Sequence, residues 1–369
     1  MKYLFFCIML AFAAAAYAND GAYYASGNQL IPIMETDISV QKEILHIRKV
    51  KNERIEVAVY YEFYNPGKAK ELTVGFEAFS PSGDVDGTPV KGQHPYMRNF
   101  KVIMNNAPLK FTTALVADTL YNQQGKIKTI DWKTFEGNKG GNSVDFFYVY
   151  HFKAHFKKGL NIIKHTYQYD ASGSVDFDYD FDYILTAANR WANKQIDDFT
   201  LILDMGNFES FNIAKAFFDQ ASDWQIKGVG KATEEQGRTR NYEQGDVARF
   251  HIREGNIVFH RKNFHPRGEL FVYSWRFLPG SDHFDYHNGS LPYSIYQQGL
   301  IPQPSAGSAI NRKILRNLPF ARRGYVFKDK ELQDYFTIMT DWYMPDPAYK
   351  ADIGKLEQAE QKWLDKWKE

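Results

Sequence analysis

The chain has 369 residues, with 45 Lys and Arg against 44 Asp and Glu, and one cysteine, Cys7. Balanced charge argues against a dedicated nucleic-acid binder, which carries a basic excess to meet phosphates. Past Cys7 the chain has no means of forming disulfides, thiolate metal sites or a cysteine nucleophile, so burial must hold it together.

Residues 1–18 read as a cleavable export signal. Lys2 is the positive start, Tyr3 to Ala16 an apolar run, and Ala16-Tyr17-Ala18 a small-x-small cleavage site. The run is shorter than the ~20 residues that span a bilayer, and no later segment is apolar enough to do so. Cys7 lies inside this run rather than at the junction, where a lipid anchor would need it. The expected location is outside the cytoplasm, periplasmic or extracellular, as a soluble protein with no membrane-spanning segment in the mature chain.

From Asp37 to about Leu278 the dominant pattern is alternation. Ile55, Val57, Val59, Tyr61 and Phe63 share one face, Asn65-Pro66-Gly67-Lys68 turns the chain, and Leu72 to Phe76 begins a new strand. Further strands are expected at 100–104, 109–114, 145–156, 160–169, 199–203, 248–252, 257–260 and 270–277, with a short helix near Ile213 to Ala221. Short runs between turns predict a mainly β fold: an antiparallel β-sandwich body over 19–280, with a possible internal boundary near 190. The 29 Phe, 24 Tyr and 7 Trp fit pleated surfaces, although aromatic faces also form platforms for sugars or peptides. Residues 281–308, rich in Gly, Ser, Pro and Tyr, read as a linker or wrapping loop. A small helical module follows over 309–369. Ile310, Ile314, Leu315 and Leu318 make one face, Lys330 to Phe336 a second helical unit, and Pro347 to Trp367 a third striped by Ile353, Leu356, Ala359 or Glu360, Trp363 and Trp367.

Three clusters bear on chemistry. In the segment 175–183 alternation places Asp176, Asp178, Asp180 and Asp182 on one face, with Phe177, Tyr179, Phe181 and Tyr183 on the other. Carboxylates about 7 Å apart repel. Ca²⁺, a cross-strand cation such as Lys164, or plain solvation would relieve them, solvation being the cheapest. The same carboxylates offer a glycosidase acid and base, but an open face lacks the unlike surroundings that split two pKa values. His283, Asp285 and His287 fall on one side of an extended segment and suit Zn²⁺, against the plain reading of a polar loop. Arg312, Arg316, Arg322 and Arg323 could hold an anionic group, or form a solvated face paired with Asp329, Glu331 and Asp334. No G-x-S-x-G, H-E-x-x-H or phosphate-binding glycine loop is present, so no catalytic residue is assigned.

Arg316 to Phe336, followed by Asp341-Trp342-Tyr343, resembles the YARHG domain, a small module of bacterial envelope and secreted proteins. Phe320-Ala321-Arg322-Arg323-Gly324 stands in place of the name string, with Phe for Tyr and Arg for His, over about 310–350. The resemblance implies a helix ended by Gly324 and a mini-core of Phe327, Leu332, Phe336 and Trp342, and carries no established activity. The body resembles a family of exported β-rich bacterial proteins of unknown function. That likeness rests on Asn19-Asp20-Gly21, Gly27 to Leu30, the Tyr60 to Pro66 strand and turn, and Asp182 to Trp191 leading into Ile196 to Asp204. The expected function is non-enzymatic binding or scaffolding in the cell envelope, with an envelope protein or glycan as partner and no cofactor. An exported hydrolase of glycan or peptide, and a Ca²⁺-stabilised structural protein, are the alternatives.

Overall fold

The computed structural model describes residues 27–32, 37–50, 54–79, 89–121, 127–129, 146–173, 176–275 and 309–368. The export segment, the 281–308 loop and the His283, Asp285 and His287 cluster lie outside them. In chain order the strands are β1 (Gly27–Pro32), β2 (Ser39–Val50), β3 (Arg54–Asn65), β4 (Lys70–Phe79), β5 (Met97–Met104), β6 (Ala107–Leu109), β7 (Phe111–Tyr121) and β8 (Ile127–Thr129). They continue as β9 (Phe146–Phe156), β10 (Gly159–Asp170), β11 (Phe177–Tyr183), β12 (Ile196–Asp204), β13 (Glu209–Ala214), β14 (Trp224–Arg238), β15 (Gln244–Phe264) and β16 (Leu270–Trp275). Helices α1 (Ala309–Arg322), α2 (Lys330–Asp334) and α3 (Gln358–Lys366) follow.

The fold is mainly β, two sheets with a small helical module. One sheet runs β1-β4-β9-β7-β8; the larger runs β11-β16-β13-β15-β12-β2-β3-β10-β5-β6, with β14 added beside β15. The sheets pack through aromatic side chains. The Phe76 ring of β4 lies 5.3 Å from Phe100, 5.6 Å from His165 and 4.9 Å from Tyr167. The alternation read at 54–64 holds: Ile55, Val57, Val59, Tyr61 and Phe63 are all buried. Asn65 closes the following turn, its side chain accepting from Gly67 N and donating to the carbonyls of Lys68 and Phe156.

Four departures from the sequence reading have physical causes. The large sheet is mixed, because β12 pairs parallel to β2 from Ile196 to Asp204, and this direct pairing joins the two sides of the boundary expected near 190. The helix expected near Ile213 to Ala221 does not form: strand β13, buried on both faces so that no two-residue period shows, runs to Ala214, residues 215–220 are bends without regular structure, and only a short 3-10 turn, Ala221–Asp223, is helical there. The strands expected at 248–252 and 257–260 form one 21-residue strand, β15. In the tail, α-helix is confined to Gln358–Lys366 behind a capping box of Glu357 and Glu360; Ile353 stands in a separate 3-10 turn, Ile353–Lys355, and is 59% exposed, outside the stripe.

Past β10 the large sheet curls onto itself. Ser172 and Asp180 exchange backbone hydrogen bonds of 3.0 and 2.9 Å, bringing β11 against the end of β10. Polar side chains are thereby enclosed. Lys49 of β2 donates to Glu209 of β13 at 2.8 Å and lies 4.6 Å from the centre of the Tyr179 ring. Glu43 is hydrogen-bonded to Tyr61 and Tyr183, whose hydroxyls are 3.4 Å apart. Burial pushes the Glu43 carboxyl up to about 8, against the tyrosines' opposing effect. His165 is fully buried among Tyr61, Phe76, Phe100 and Tyr167 with neither ring nitrogen hydrogen-bonded, and burial lowers it to about 3.

At neutral pH the folded protein keeps the Glu43 proton that an unfolded chain releases. Stability from this group is therefore greatest below about pH 4.5 and falls as pH rises to about 8, by on the order of a few kcal/mol. Glu43→Gln should flatten the melting temperature between pH 5 and 8 relative to the parent. Parallel profiles would show that Glu43 is not the group responsible.

Candidate functional site

The acidic segment is not a uniform row. Pairing of β11 with β16 slips between Phe177 and Tyr179, a bulge that breaks the alternation. Tyr179, Phe181 and Tyr183 enter the main core as expected. Phe177 leaves them and joins a satellite cluster with Ala214, Val247, Phe271 and Tyr273. Asp176 is exposed, and Asp178 is half-buried with its charge felt at Glu209. Asp180 and Asp182 are 1% and 0% exposed, so solvation does not relieve them.

What covers them is the tip of the β14–β15 hairpin, residues 239–243. Arg240 Nε donates to Asp182 Oδ2 at 2.5 Å, taking the place considered for Lys164, which lies 5.5 Å from the centre of the Tyr60 ring. Tyr242 stacks on Phe177 at 5.9 Å and meets Phe271 edge-on at 5.9 Å. Burial, aided by the Asp182 charge, raises the Asp180 carboxyl to about 7. The carboxylates thus occupy unlike surroundings, contrary to the open face expected. Among the described residues, no three His, Cys, Asp or Glu side chains gather as a metal-ligand set.

Beside the hairpin tip opens a cleft of about 800 Å³ whose charged walls are Lys215, Asp219, Arg240, Asp246, Arg267 and Glu269. Its cations and carboxylates balance. Arg267 pairs with Asp219 at 2.7 Å and Lys215 with Glu234 at 2.8 Å. Glu269 accepts from the backbone N–H groups of Leu185 and Thr186 at 2.6 and 3.1 Å, anchoring the 3-10 turn Thr186–Arg190 to this wall.

The four tail arginines divide. Arg323 grips Glu360 through two hydrogen bonds of 2.7 and 2.8 Å, a bidentate pair, and Arg322 lies 3.8 Å from the same carboxylate. Their guanidiniums sit 4.8 and 4.5 Å from the ring centre of Phe208, on the loop between β12 and β13. These two arginines dock the module on the body. Arg312 and Arg316 lie earlier on α1, Arg312 half-buried and Arg316 exposed, and Asp329 is paired with Lys313.

Docking extends along β14 and β15. Arg253 donates to the carbonyls of Arg323 and Met344, both at 3.3 Å, and pairs with Asp346 at 3.4 Å. Lys231 donates to the Tyr343 carbonyl at 3.3 Å, and Arg249 pairs with Asp341 at 3.0 Å. Gly324 ends the helix with φ +84°, and a Cβ there would lie 2.5 Å from Met344 O and 2.6 Å from Arg253 Nη1. The expected mini-core of Phe327, Leu332, Phe336 and Trp342 forms, joined by Trp363, whose Nε1 donates to Leu315 O at 2.7 Å.

Sequence spacing did not reveal one constellation. Ser210 Oγ lies 2.7 Å from His251 Nδ1, and His251 Nε2 lies 3.5 Å from Asp341 Oδ2. The residue types are those of a hydrolytic triad, but the imidazole is reversed, since in a triad Nε2 faces the serine. Ser210 is 5% exposed and does not line the cleft beside the hairpin tip. Burial pushes His251 toward its neutral form against the pull of Asp341. Burial also opposes ionisation of Asp341, but His251 and Arg249 outweigh it and carry that carboxyl to about 2. Arg240 and Tyr242 were also missed. The turn-favouring Thr239 and Asn241, ahead of the alternating Ala248, Phe250 and Ile252, were the available signal.

Residues 297–369 match the family model of the YARHG domain. This extends the likeness seen at 310–350 through α3. No curated protein matches the chain by sequence. Among solved structures, a candidate nutrient binding protein from Legionella pneumophila is 17% identical, with 94% of this chain and 100% of that one covered and a TM-score of 0.48. An M1 zinc metallopeptidase from Deinococcus radiodurans is 9% identical with a TM-score of 0.28, and 64% of this chain aligns with 42% of that enzyme. Baculovirus P35 is 10% identical with a TM-score of 0.25, covering 65% and 98%. Likenesses this distant carry no function across. Among the described residues no helix is long and apolar enough to cross a membrane.

The docking contacts have direct consequences. Gly324→Ala should cost more than about 1 kcal/mol, since it meets both a left-handed backbone and a close approach. Arg253→Ala should speed proteolytic separation of the module from a body that stays folded; unchanged cleavage in both variants would refute the latch. The folded Asp341 carboxyl lies below the ordinary 3.8, so its contribution is present above about pH 4 and lost as pH falls through about 2. The melting-temperature gap between the parent and Asp341→Asn should therefore narrow on acidification from pH 5 to 2.

Proposed function

We propose that this is an exported, non-enzymatic binding protein of the bacterial cell envelope. In this reading the β body takes its ligand in the cleft beside Arg240, and the docked YARHG module braces the hairpin that forms one wall. The observation that carries it is the cleft itself, whose size is that of ordinary ligand sites. The expected partner is an envelope protein or glycan. Support for export comes from the signal-like residues 1–18 and from the presence of a YARHG domain.

A hydrolase of envelope glycan or peptide is the second reading. It is favoured by the unlike surroundings of Asp180, raised to about 7, and Asp182, paired with Arg240. Against it stands their burial beneath the hairpin tip, which leaves no described path for a substrate.

A photo-crosslinking side chain at Asn241, on the cleft wall, tests the binding reading in intact cells. A discrete adduct with an envelope component is expected, and should be absent when the probe is moved to exposed Lys328 on the module. Loss of envelope-substrate turnover in Asp180→Asn and Asp182→Asn, with no adduct at Asn241, would favour the hydrolase instead.

A further inference from the structure

We infer that the cleft binds an uncharged oligosaccharide, with Tyr242 as the stacking platform at its lip; this rests on the binding reading above. Three features of the hairpin tip and the cleft walls carry the assignment.

Tyr242 is 49% exposed although one side of its ring is stacked on Phe177 at an interplanar angle of 21°. The ring also meets Phe271 at an interplanar angle of 80°, and both Phe271 and the preceding Asn241 line the cleft. The backbone at Tyr242 is left-handed, φ +60°, on the two-strand tip closed by Tyr242 N donating to Thr239 O at 2.8 Å. An aromatic ring fixed in this way offers a flat apolar face with little rotamer freedom left to lose on binding. The C–H face of a pyranose is a natural occupant.

The residues preceding Tyr242 turn from apolar to polar contact. Thr239, Arg240 and Asn241 line the cleft, as does the Asp219–Arg267 pair. Planar amide, guanidinium and carboxylate groups supply both donors and acceptors, as paired sugar hydroxyls require.

The charge balance narrows the class further. Lys215, Arg240 and Arg267 are matched by Asp219, Asp246 and Glu269 on the same walls. A polyanion such as a phosphate-rich or sulfated chain would meet three carboxylates, and a polycation three cations. An uncharged, hydroxyl-rich chain meets neither penalty. The volume of about 800 Å³ accommodates a short oligosaccharide rather than a single small ion.

The test is an array of neutral and N-acetylated oligosaccharides probed with the purified full chain, followed by calorimetric titration of the best binder and of heparin. Saturable binding of a neutral glycan is expected, weakened at least tenfold by Tyr242→Ala, kept within twofold by Tyr242→Phe, and weakened by Arg267→Ala. Heparin should not bind, and the variants should melt as the parent does. Absence of neutral-glycan binding by a folded protein, or binding indifferent to Tyr242→Ala, overturns the proposal. If that failure accompanies an Asn241 crosslink to an envelope protein, only the glycan assignment falls. If Asn241 captures nothing as well, the binding reading falls with it.

Discussion

A single strand, β15, is hydrogen-bonded along both edges, to β14 on one side and to β12 and then β13 on the other. Such a strand cannot slip without breaking two ladders, and a one-residue slip would exchange its faces. Its alternation therefore assigns chemistry with little latitude. Phe250 and Ile252 enter the main core, while Arg249, His251 and Arg253 stand on the opposite face and receive the helical module. The hairpin that begins with β14 ends in the tip covering Asp180 and Asp182. Module, hairpin and cleft are thus parts of one mechanical element.

The loop between β12 and β13 adds an electrostatic link. Glu209, just past it, points into the body and pairs with Lys49; Phe208 points out, under Arg322 and Arg323. Burial raises the Glu209 carboxyl, Lys49 opposes this, and the more distant Arg322 charge adds to the opposition. A buried ion pair commonly gains little net stability because desolvation offsets the attraction. Its placement at the break between two collinear strands fits a role in fixing their register. A slip there would leave the Glu209 charge buried without Lys49, which costs far more than the pair contributes.

What the sequence disclosed follows from how far apart the interacting residues lie. Alternation at 54–64 and the helical face of Ile310, Ile314, Leu315 and Leu318 were legible because each element has one buried and one exposed side. Strand β13 was not, because every residue of Glu209–Ala214 is buried. Strand β14, with Lys227, Lys231, Glu234 and Glu235 among its residues and a largely exposed pattern, carries no apolar period to read. The acidic segment misled for a different reason. Its composition fixed two faces, but the one-residue slip at Phe177 and the cover supplied by Arg240, 58 positions away, are tertiary facts. Arg322 and Arg323 looked like part of an anion site because the residues that engage them, Phe208 and Glu360, lie far off in sequence or on another helix.

Docking also explains why Ser210, His251 and Asp341 meet. A nucleophile needs an accessible oxygen and a base nitrogen free to pass its proton onward. Here Ser210 is enclosed, Ser274 Oγ donates to its carbonyl at 2.7 Å, and the imidazole spans from body to module. Asp341 reaches His251 only when the module is seated, as does its pair with Arg249. The same segment brings Tyr343 O to Lys231 and Met344 O to Arg253. A chain of hydrogen bonds that closes on seating, and that satisfies groups buried by that seating, is accounted for by assembly alone. The Arg322-Arg323-Gly324 run of the YARHG module acts in the same contact: Gly324 admits the Arg253 guanidinium and Arg322 and Arg323 cover Phe208. In this chain the signature is a docking surface, which directs the search for ligand chemistry to the other end of the hairpin.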